Sequence, residues 1–387
     1  MSVNRRIYLD YCATTPVHPE VRAAMLSSLD EDFGNPSSMH WAGGRARQLL
    51  EQARAEVAGG IGSQPGEIHF TSGATEADNL ALLGILRQHA PGQAHLITSA
   101  VEHHAILHSA ARLEREGYPV TYLPVDATGR VEVDSLRKAI RTDTVLISVM
   151  LVNNEVGAIQ PVAEIGAIAR ERGILLHTDA VQGIGLLDVA VDDLQVDLLS
   201  LSAHKIYGPK GIGALYVRQG VRLEPVTFGG PQEMGLRAGT ENVPGIVGLG
   251  AAVRLTQAHK GAERQRLLHL RQYLIAGLRE RLPELIVNGP EGQVSPHVVS
   301  ISFPGADAEM MLIRLNGEGI AVSLGSACNS EAIEPSHVLK AMGLPLDQIE
   351  GTLRISLGYP TTQAELDRLI EVLPAIVERA TISAEGK

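Results

Sequence analysis

A lysine that follows a buried strand offers amine chemistry in this sequence. The apolar run Asp197 to Ser200 leads into Ser200-Leu-Ser-Ala-His-Lys205, and the glycine-rich Gly208-Pro-Lys-Gly-Ile-Gly213 comes next. This order places Lys205 at a strand-to-turn junction. Its ammonium could bind an anion there, or its amine could form an imine if burial or a cationic neighbour lowers its pKa. The motif alone leaves both interpretations open.

An acid ends another apolar strand. Leu175-Leu-His-Thr-Asp179 is followed by Ala180-Val181-Gln182. Acids at the carboxyl ends of strands lie on the ligand side of open α/β sheets. A carboxylate at this place could keep the nitrogen of a pyridine ring protonated, and that charge makes such a ring an electron sink. The alternative is that Asp179 caps a helix.

A run of small residues predicts an anion site. Phe70-Thr-Ser-Gly-Ala-Thr-Glu-Ala-Asp-Asn79 indicates a strand, a tight turn and the start of a helix. The free amides at Ala74 and Thr75 and the positive end of the helix suit a phosphate. The competing interpretation is ordinary capping of the helix by Thr71 or Ser72.

Histidines follow in Val101-Glu-His-His-Ala105. The imidazole of His103 could stack on a planar cofactor and move protons near neutral pH. His104 and His108 are four residues apart, as in some metal sites. However, Ile106 and Leu107 stand where the zinc-peptidase pattern has a glutamate, and no third ligand is evident nearby. We therefore predict no metal site.

Two cysteines and one arginine complete the candidate residues. Cys328 lies in the small, polar Gly325-Ser-Ala-Cys-Asn-Ser330, which is typical of an accessible nucleophile on a loop. Cys12, between Tyr11 and Ala13, is expected to pack as a small apolar residue. Arg354, on an apolar strand, would be costly to bury alone. Its expected partner is a carboxylate, from a substrate or from Asp or Glu.

The elements that must position these residues alternate regularly through the first two thirds of the chain. Their strand-like runs are largely apolar and do not alternate, as in parallel strands covered by helices on both faces, which predicts a mostly parallel α/β sheet. After about Gly250, the helical stretch Ala251 to Leu282 leads into a less regular segment that predicts a smaller α+β domain. The predicted strands are His95 to Ser99, Val120 to Pro124, Thr144 to Met150, Ile174 to Thr178, Leu198 to Ser202, Val298 to Phe303 and Leu353 to Leu357.

The bulk properties narrow the class of protein. A chain of 387 residues exceeds the usual size of one hydrophobic core, so we expect two domains. A net charge of −11 and an aromatic content of 3% provide neither a basic surface nor stacking platforms for nucleic acid. No apolar run has the length of a signal peptide or a membrane span, and two cysteines make no disulfide framework. We expect a cytoplasmic protein that acts on a small molecule.

In combination, these motifs resemble the cysteine desulfurases, a branch of the aspartate-aminotransferase-like enzymes of pyridoxal-phosphate fold type I. The resemblance covers nearly the whole chain. The Cys328 motif is similar to that of the branch with a Ser-Gly-Ser-Ala-Cys pattern on a long mobile loop, although Leu324 replaces the usual serine. The other matching segments are Tyr8 to Pro16, Gly34 to Ser38, Glu102-His103, Val152 to Gly157, His177 to Gln182, Ser202 to Lys205, Arg237 to Thr240 and Arg354 to Leu357.

The resemblance implies a role for each site residue. Lys205 would carry pyridoxal 5′-phosphate as a Schiff base, Asp179 would pair with the pyridine nitrogen, and His103 would stack on the ring. Asn35, Asn154 and Arg354 match positions associated with the substrate carboxylate. The remaining cofactor-binding residues would be Gln182 and Asn154 near the phenolic oxygen, and Ala74, Thr75, Ser202, His204 and Thr240 at the phosphate, with Thr240 coming from a second subunit.

The resemblance also implies a reaction and its partners. A homodimer would remove sulfur from L-cysteine, leaving L-alanine and a persulfide on Cys328. The persulfide would pass to an acceptor protein such as an iron–sulfur scaffold. Cluster assembly, tRNA thiolation, nitrogenase maturation and DNA phosphorothioation would all begin with this persulfide. Two residues depart from the family pattern: Cys12 stands where alanine, serine or asparagine is more common, and Met234 where arginine is common.

Two alternatives to this function stay open. The first is a β-lyase that acts on cystine or on a seleno-amino acid such as selenocysteine, which would need no nucleophilic Cys328. The second is a docking subunit for sulfur-relay partners with a vestigial site.

For the domains, we predict a large cofactor-binding domain at residues 15–255. A small domain at residues 1–14 and 256–387 would carry the cysteine loop.

Overall fold

A seven-stranded sheet forms the centre of the computed structural model, which describes residues 6–324 and 335–385. Its strand order is β2-β8-β7-β6-β5-β3-β4. The five neighbouring strands from β7 to β4 pair in parallel, while β8 is antiparallel to both of its neighbours, β2 and β7. The strands are β2 (Ile68–Thr71), β3 (His95–Ser99), β4 (Val120–Leu123), β5 (Thr144–Ser148), β6 (Leu175–Asp179), β7 (Leu198–Ser202) and β8 (Gly213–Val217).

Helices flank this sheet and account for its apolar strands. Every residue of β2, β3, β7 and β8 is buried, so both faces of these strands are covered. This arrangement confirms the predicted mostly parallel α/β sheet. The helices of this part are α1 (Pro19–Asp30), α2 (Trp41–Ile61), α3 (Ala74–Leu86), α4 (His104–Arg115), α5 (Val133–Ala139), α6 (Val162–Arg172) and α7 (Val191–Leu194).

A second group of elements surrounds a three-stranded antiparallel sheet with the order β12-β10-β9. The N-terminal strand β1 (Ile7–Tyr8) joins this region, because it pairs in parallel with β11. The prediction of a smaller α+β part is therefore confirmed. Its elements are α8 (Val243–Arg281), β9 (Ile286–Asn288), β10 (Val298–Ser302), α9 (Ala308–Gly317), β11 (Ile320–Ala321), α10 (His337–Ala341), α11 (Leu346–Glu350), β12 (Thr352–Ser356) and α12 (Gln363–Glu385).

The apolar core follows the same division. One buried cluster draws on residues 21–253 around the large sheet, and another joins Ile7 and Leu9 to residues 267–380. Helix α8 contributes Leu249 to the first cluster and Leu274 to the second, so one continuous helix serves both. The exact boundaries at residues 14 and 255 stay predictions.

The helix start predicted at Ala251 is wrong. Helix α8 begins at Val243, and the Asn242 side chain caps it by accepting the amide of Gly245. Gly250, next to the predicted start, lies inside the helix at a point of close packing. A Cβ on Gly250 would lie 2.8 Å from the Cα of Ala53 on α2, so the two helices approach each other more closely than a side chain allows.

Candidate active site

A cavity of about 640 Å³ lies at the carboxyl ends of the central strands. Cys12, from the N-terminal segment, also lines it. Asn35 and Thr240 are exposed and lie outside its lining, and Cys328 lies outside the described residues. The cavity brings together ten of the predicted site residues: Ala74, Thr75, His103, Asn154, Asp179, Gln182, Ser202, His204, Lys205 and Arg354.

Lys205 ends a short 3₁₀ turn, Ala203–Lys205, directly after β7. Its Nζ donates hydrogen bonds to the carbonyl oxygens of Cys12 at 2.5 Å and Ala13 at 2.8 Å. Burial lowers the pKa of this amine from its usual 10.5, with the charge of Arg354 acting in the same direction and nearby anions opposing it. The surroundings therefore increase the share of the neutral, nucleophilic form of the amine.

Asp179 ends β6 and is buried at the floor of the cavity. Its Oδ1 accepts the amide of Val181 at 2.9 Å. Burial raises the pKa of this carboxyl to about 6, against the effect of the Val181 amide and the charge of Lys205. A cationic ring nitrogen at this place would restore the ionised form, which is the pairing expected from the sequence.

Asp78 lies beside Asp179 as a second, fully buried carboxyl on the cavity wall. Its Oδ1 is 3.6 Å from Nε2 of His177, whose ring also contacts the hydroxyls of Ser148 at 2.9 Å and Ser200 at 3.0 Å. Burial and the charge of Asp179 raise the pKa of Asp78. Asp78, His177, Ser148 and Ser200 thus form a buried polar cluster beside Asp179.

The N-terminus of α3 meets the cavity without a side-chain cap. Its N-cap residue is Gly73, with φ 154° and ψ 175°, a conformation that is open to glycine only. The Thr71 hydroxyl donates to the Gly73 carbonyl at 2.9 Å, and the Ser72 amide donates to Glu76 at 2.6 Å. Neither residue caps the helix, so the capping interpretation is wrong. The first-turn amides at Ala74 and Thr75 are left to bind an anion.

His103 is the N-cap of α4, and its Nδ1 accepts the amide of Ala105 at 3.1 Å. Burial lowers the pKa of His103 to about 4, and the charge of Lys205 adds to this effect. Its ring is therefore neutral at physiological pH.

The His104 ring lies 5.0 Å from that of His108 and 4.8 Å from that of His337. The described residues contain no group of three or more side chains arranged to hold a metal ion.

Arg354, on β12, is 3% exposed and reaches the cavity. Its Nη2 donates to Oδ1 of Asp10 at 3.0 Å, and its Nη1 donates to the carbonyl of Asn154 at 3.2 Å. The prediction that this buried arginine has a carboxylate partner is confirmed, and the partner is Asp10. Burial raises the pKa of Asp10, and the charge of Arg354 opposes that rise.

The remaining predicted residues form a hydrogen-bonded rim. The side-chain Nε2 of Gln182 donates to the Cys12 carbonyl at 3.1 Å, and its Oε1 lies 3.1 Å from Nε2 of His297. Nδ1 of His204 lies 3.1 Å from the Thr14 hydroxyl. Cys12 is buried as predicted, and burial raises the pKa of its thiol.

Three residues of the site had no role in the sequence interpretation. They are Asp78, on the same helix as Ala74 and Thr75, and Asp10 and His297 from other segments. The signal for Asp78 was an acid inside the apolar pattern of α3, where a buried charge is costly. Asp10 follows a short apolar strand in the same way. No pattern in the sequence pointed to His297.

Comparisons with known proteins identify the family of this chain. The sequence profile of the aminotransferase class-V family matches residues 7–369. A cysteine desulfurase IscS from Methanosarcina thermophila is 50% identical over 376 residues, covering 97% of this chain and 93% of that protein. A cysteine desulfurase IscS from Dictyoglomus turgidum is 47% identical over 377 residues, covering 97% of this chain and 96% of that protein.

Solved structures with a similar fold cover most of this chain. A NifS-like protein superimposes with a TM-score of 0.91 at 38% identity, covering 97% of this chain and 100% of the other. A structure described as SspA in complex with cysteine has a TM-score of 0.80 at 39% identity, covering 91% of this chain and 98% of the other.

Proposed function

The chain belongs to the aminotransferase class-V family, and from that premise we infer that it is a pyridoxal-phosphate-dependent cysteine desulfurase. One observation supports this function above the others. Lys205, Asp179 and the uncapped N-terminus of α3 line a single cavity, so an amine, a carboxylate and an anion site are combined in one place.

The residues of the cavity fit the cofactor. Asp179 suits its ring nitrogen, and the amides at Ala74 and Thr75 suit its phosphate, with Ser202 and His204 beside them. His103 and Gln182 would hold the ring. When bound through an amine, the cofactor acts as an electron sink for the charge left by a departing Cα proton.

Two side chains would handle protons. We propose that the Nζ of Lys205, held by the carbonyls of Cys12 and Ala13, removes the Cα proton of the substrate. Its lowered pKa supports this role, since a neutral amine is a base and an ammonium is not. Burial likewise lowers the pKa of His103, to about 4, and we propose that its neutral ring accepts or returns a proton.

The substrate would be held by its carboxylate. Arg354 is the cation of the cavity that can form a bidentate pair with that group, and Asn154 lies beside it. Asn35 is proposed as a further contact, although it lies outside the lining of this chain's own cavity. The similar structure that is described as a complex with cysteine supports L-cysteine as the substrate.

Cys328 is proposed as the sulfur acceptor. Its thiolate would form a bond to the substrate sulfur as the bond between Cβ and that sulfur breaks, giving a persulfide and, after protonation, L-alanine. The persulfide would then pass to a sulfur-acceptor protein, such as an iron–sulfur scaffold, in the cytoplasm. Among the described residues, no helix has the length and apolar character to span a membrane.

A homodimer is proposed because Thr240 is exposed and lies away from its own chain's cavity. On this proposal, Thr240 serves the phosphate of the partner subunit. Large apolar side chains are exposed in the same loop and in the segment that leads into the first residue of α2, as expected of a surface that a second copy covers. These side chains are Phe33, Met39, Trp41, Phe228 and Met234.

A substrate panel tests the function. The cofactor-loaded protein is incubated with a thiol reductant and L-cysteine, and separately with L-cystine or L-selenocysteine. A cysteine desulfurase forms alanine and sulfide from L-cysteine. A preference for cystine or selenocysteine would identify the lyase alternative instead. A protein that turns over none of the three would match the docking-subunit alternative.

A further inference from the structure

Arg354 is held from two sides in the cavity wall. Its Nη2 donates to Asp10 at 3.0 Å and its Nη1 donates to the Asn154 carbonyl at 3.2 Å. A guanidinium forms strong bidentate pairs with a carboxylate only when its plane is aligned with that group. A long arginine side chain therefore needs a partner that fixes its plane before the substrate arrives.

Asp10 is itself rigidly placed beside the strand that carries Arg354. It forms a parallel bridge with Ser356, two residues after Arg354. Its carbonyl oxygen accepts the Tyr8 hydroxyl at 2.9 Å and the Ala13 amide at 3.1 Å. With the backbone held in this way, the carboxylate has little freedom to leave the guanidinium.

The charges around Arg354 distinguish Asp10 from the other nearby acid. Glu155 is buried, and it accepts the Ser336 hydroxyl at 2.5 Å. Asp10 forms the ion pair with the guanidinium, and its side chain is 19% exposed. Lys205 is a nearby cation whose charge is also felt by Asp10. Asp10 is therefore the carboxylate placed to set the orientation of Arg354.

The same short segment also holds the reactive amine. The carbonyls of Cys12 and Ala13, two and three residues after Asp10, accept hydrogen bonds from Lys205. Residues 10–13 thus contact both the cation for the substrate carboxylate and the base for its Cα proton. The Asp10 side chain contacts the cation, and the backbone contacts the base.

We propose that Asp10 is a positioning residue that orients Arg354 for the substrate carboxylate, and so selects amino acids over amines that lack a carboxylate. This proposal rests on the proposed function, because it assumes that Arg354 binds the substrate. Its effect is on substrate binding and not on the proton transfer by Lys205.

The test compares two ligands on the cofactor-loaded Asp10→Asn variant. L-alanine has the amine and the carboxylate, whereas cysteamine has the amine and a thiol but no carboxylate. Binding of each is followed by the change in visible absorbance of the bound cofactor. We expect the Kd for L-alanine to rise about tenfold, the size expected for one weakened charge-assisted hydrogen bond, and the Kd for cysteamine to stay unchanged. The KM for L-cysteine should rise while kcat stays within about twofold.

Controls separate positioning from a general structural effect. Asp188→Asn removes an exposed carboxylate that pairs with Lys260 and should change neither ligand's affinity. Asp10→Glu keeps the charge but moves it by one methylene. It should therefore give a smaller loss of L-alanine binding, and it supplies the test if Asp10→Asn does not fold.

The outcomes distinguish a failure of the positioning role of Asp10 from a failure of the proposed function. Equal loss of affinity for both ligands, or no loss in either Asp10 variant, would overturn the positioning role. If the wild-type protein releases no alanine from L-cysteine, the proposed function fails instead, whatever the Asp10 variants do.

Discussion

The Nζ of Lys205 lies 2.5 Å from the carbonyl oxygen of Cys12. It also donates to the carbonyl oxygen of Ala13, which is 192 residues away in the sequence. The N-terminal segment and the end of β7 therefore meet at the reactive amine. Because Arg354 is tied to the same segment through Asp10, the side chains of Lys205 and Arg354 are held by the same segment.

Replacing Lys205 should abolish covalent attachment of the cofactor. Reduction with borohydride should fix the cofactor to the wild-type chain, and mass spectrometry should show the added mass. Lys205→Ala should gain none, because Lys210, the other described lysine that lines the cavity, is exposed and does not share the buried position of Lys205. Lys340→Ala, a change at an exposed lysine on α10, is the matched control and should behave as wild type. Cofactor mass on Lys205→Ala would contradict the assignment.

Replacing Gly73 should weaken cofactor binding through the backbone. A Cβ at Gly73 would meet no atom within 4 Å, so crowding is not the cause. The φ of 154° is instead strained for any residue with a side chain, at a cost of about 1–3 kcal/mol. Gly73→Ala should therefore raise the Kd of pyridoxal phosphate about tenfold in a fluorescence titration of the cofactor-free protein. Gly66→Ala, also at an open position but without a positive φ, should bind as wild type. Equal affinities in the two variants would remove the strain argument.

Breaking the buried pair between Arg54 and Glu233 should strongly destabilise the fold. Arg54 donates to both oxygens of Glu233, at 2.8 and 2.9 Å, and Glu233 also accepts the Phe70 amide at 2.7 Å. The pair anchors a turn in which Glu233 and Met234 have φ values of 46° and 56°. Arg54→Met leaves a buried carboxylate without its cation and should lower the free energy of unfolding by about 3–5 kcal/mol.

Denaturant unfolding measures this loss, and two further variants control it. Arg112→Met breaks a pair on the surface, where the arginine is 61% exposed, and should cost less than about 1 kcal/mol. Adding Glu233→Gln to Arg54→Met should recover part of the stability, since it removes the unpaired charge. A loss below about 1 kcal/mol for Arg54→Met would mean that the buried pair contributes little.

His177 should make stability depend on pH. Burial lowers the pKa of His177 to about 3, whereas the unfolded chain has a value near 6.5. Below pH 6.5 the unfolded state binds a proton that the folded state does not, so this contribution to stability is complete above pH 6.5. It is lost as the pH falls towards 3, by about 1.4 kcal/mol per pH unit.

Urea unfolding of the cofactor-free protein between pH 5 and 7 measures this slope. His177→Asn keeps hydrogen bonding near Ser148 and Ser200 but cannot be protonated, so its stability should fall less steeply with acid. His269→Asn, at an exposed position on α8, should keep the wild-type slope. Identical slopes for His177→Asn and wild type would contradict the burial argument.

The fold could be predicted where local pattern decides it. His95–Ser99 and Leu198–Ser202 were predicted with the same bounds that the structure has, because each is a short, largely apolar run. The start of α8 was missed because Gly245, Gly248 and Gly250 weaken the helical pattern. A Cβ at Gly248 would lie 2.8 Å from Pro209, and one at Gly250 would lie 2.8 Å from Ala53 on α2, so close tertiary contacts require these two glycines.

The site residues could be predicted where a reactive side chain directly follows a buried strand. Asp179 and Lys205 follow buried strands, and the small-residue turn at Gly73 precedes a helix, so their meeting place follows from the topology. The partners of these residues could not be predicted. Asp10 and Arg354 are 344 residues apart, and only folding brings them together.

Alanine formation by the Cys328→Ala variant tests the proposed function most directly. The cofactor-loaded wild-type protein, Cys328→Ala and Cys12→Ala are each incubated with L-cysteine and a thiol reductant, and alanine is quantified over many turnovers. We predict alanine from the wild type and from Cys12→Ala, whose thiol is buried, and none from Cys328→Ala, which should keep its bound cofactor. Alanine production by Cys328→Ala at the wild-type rate would contradict desulfuration through a persulfide on Cys328.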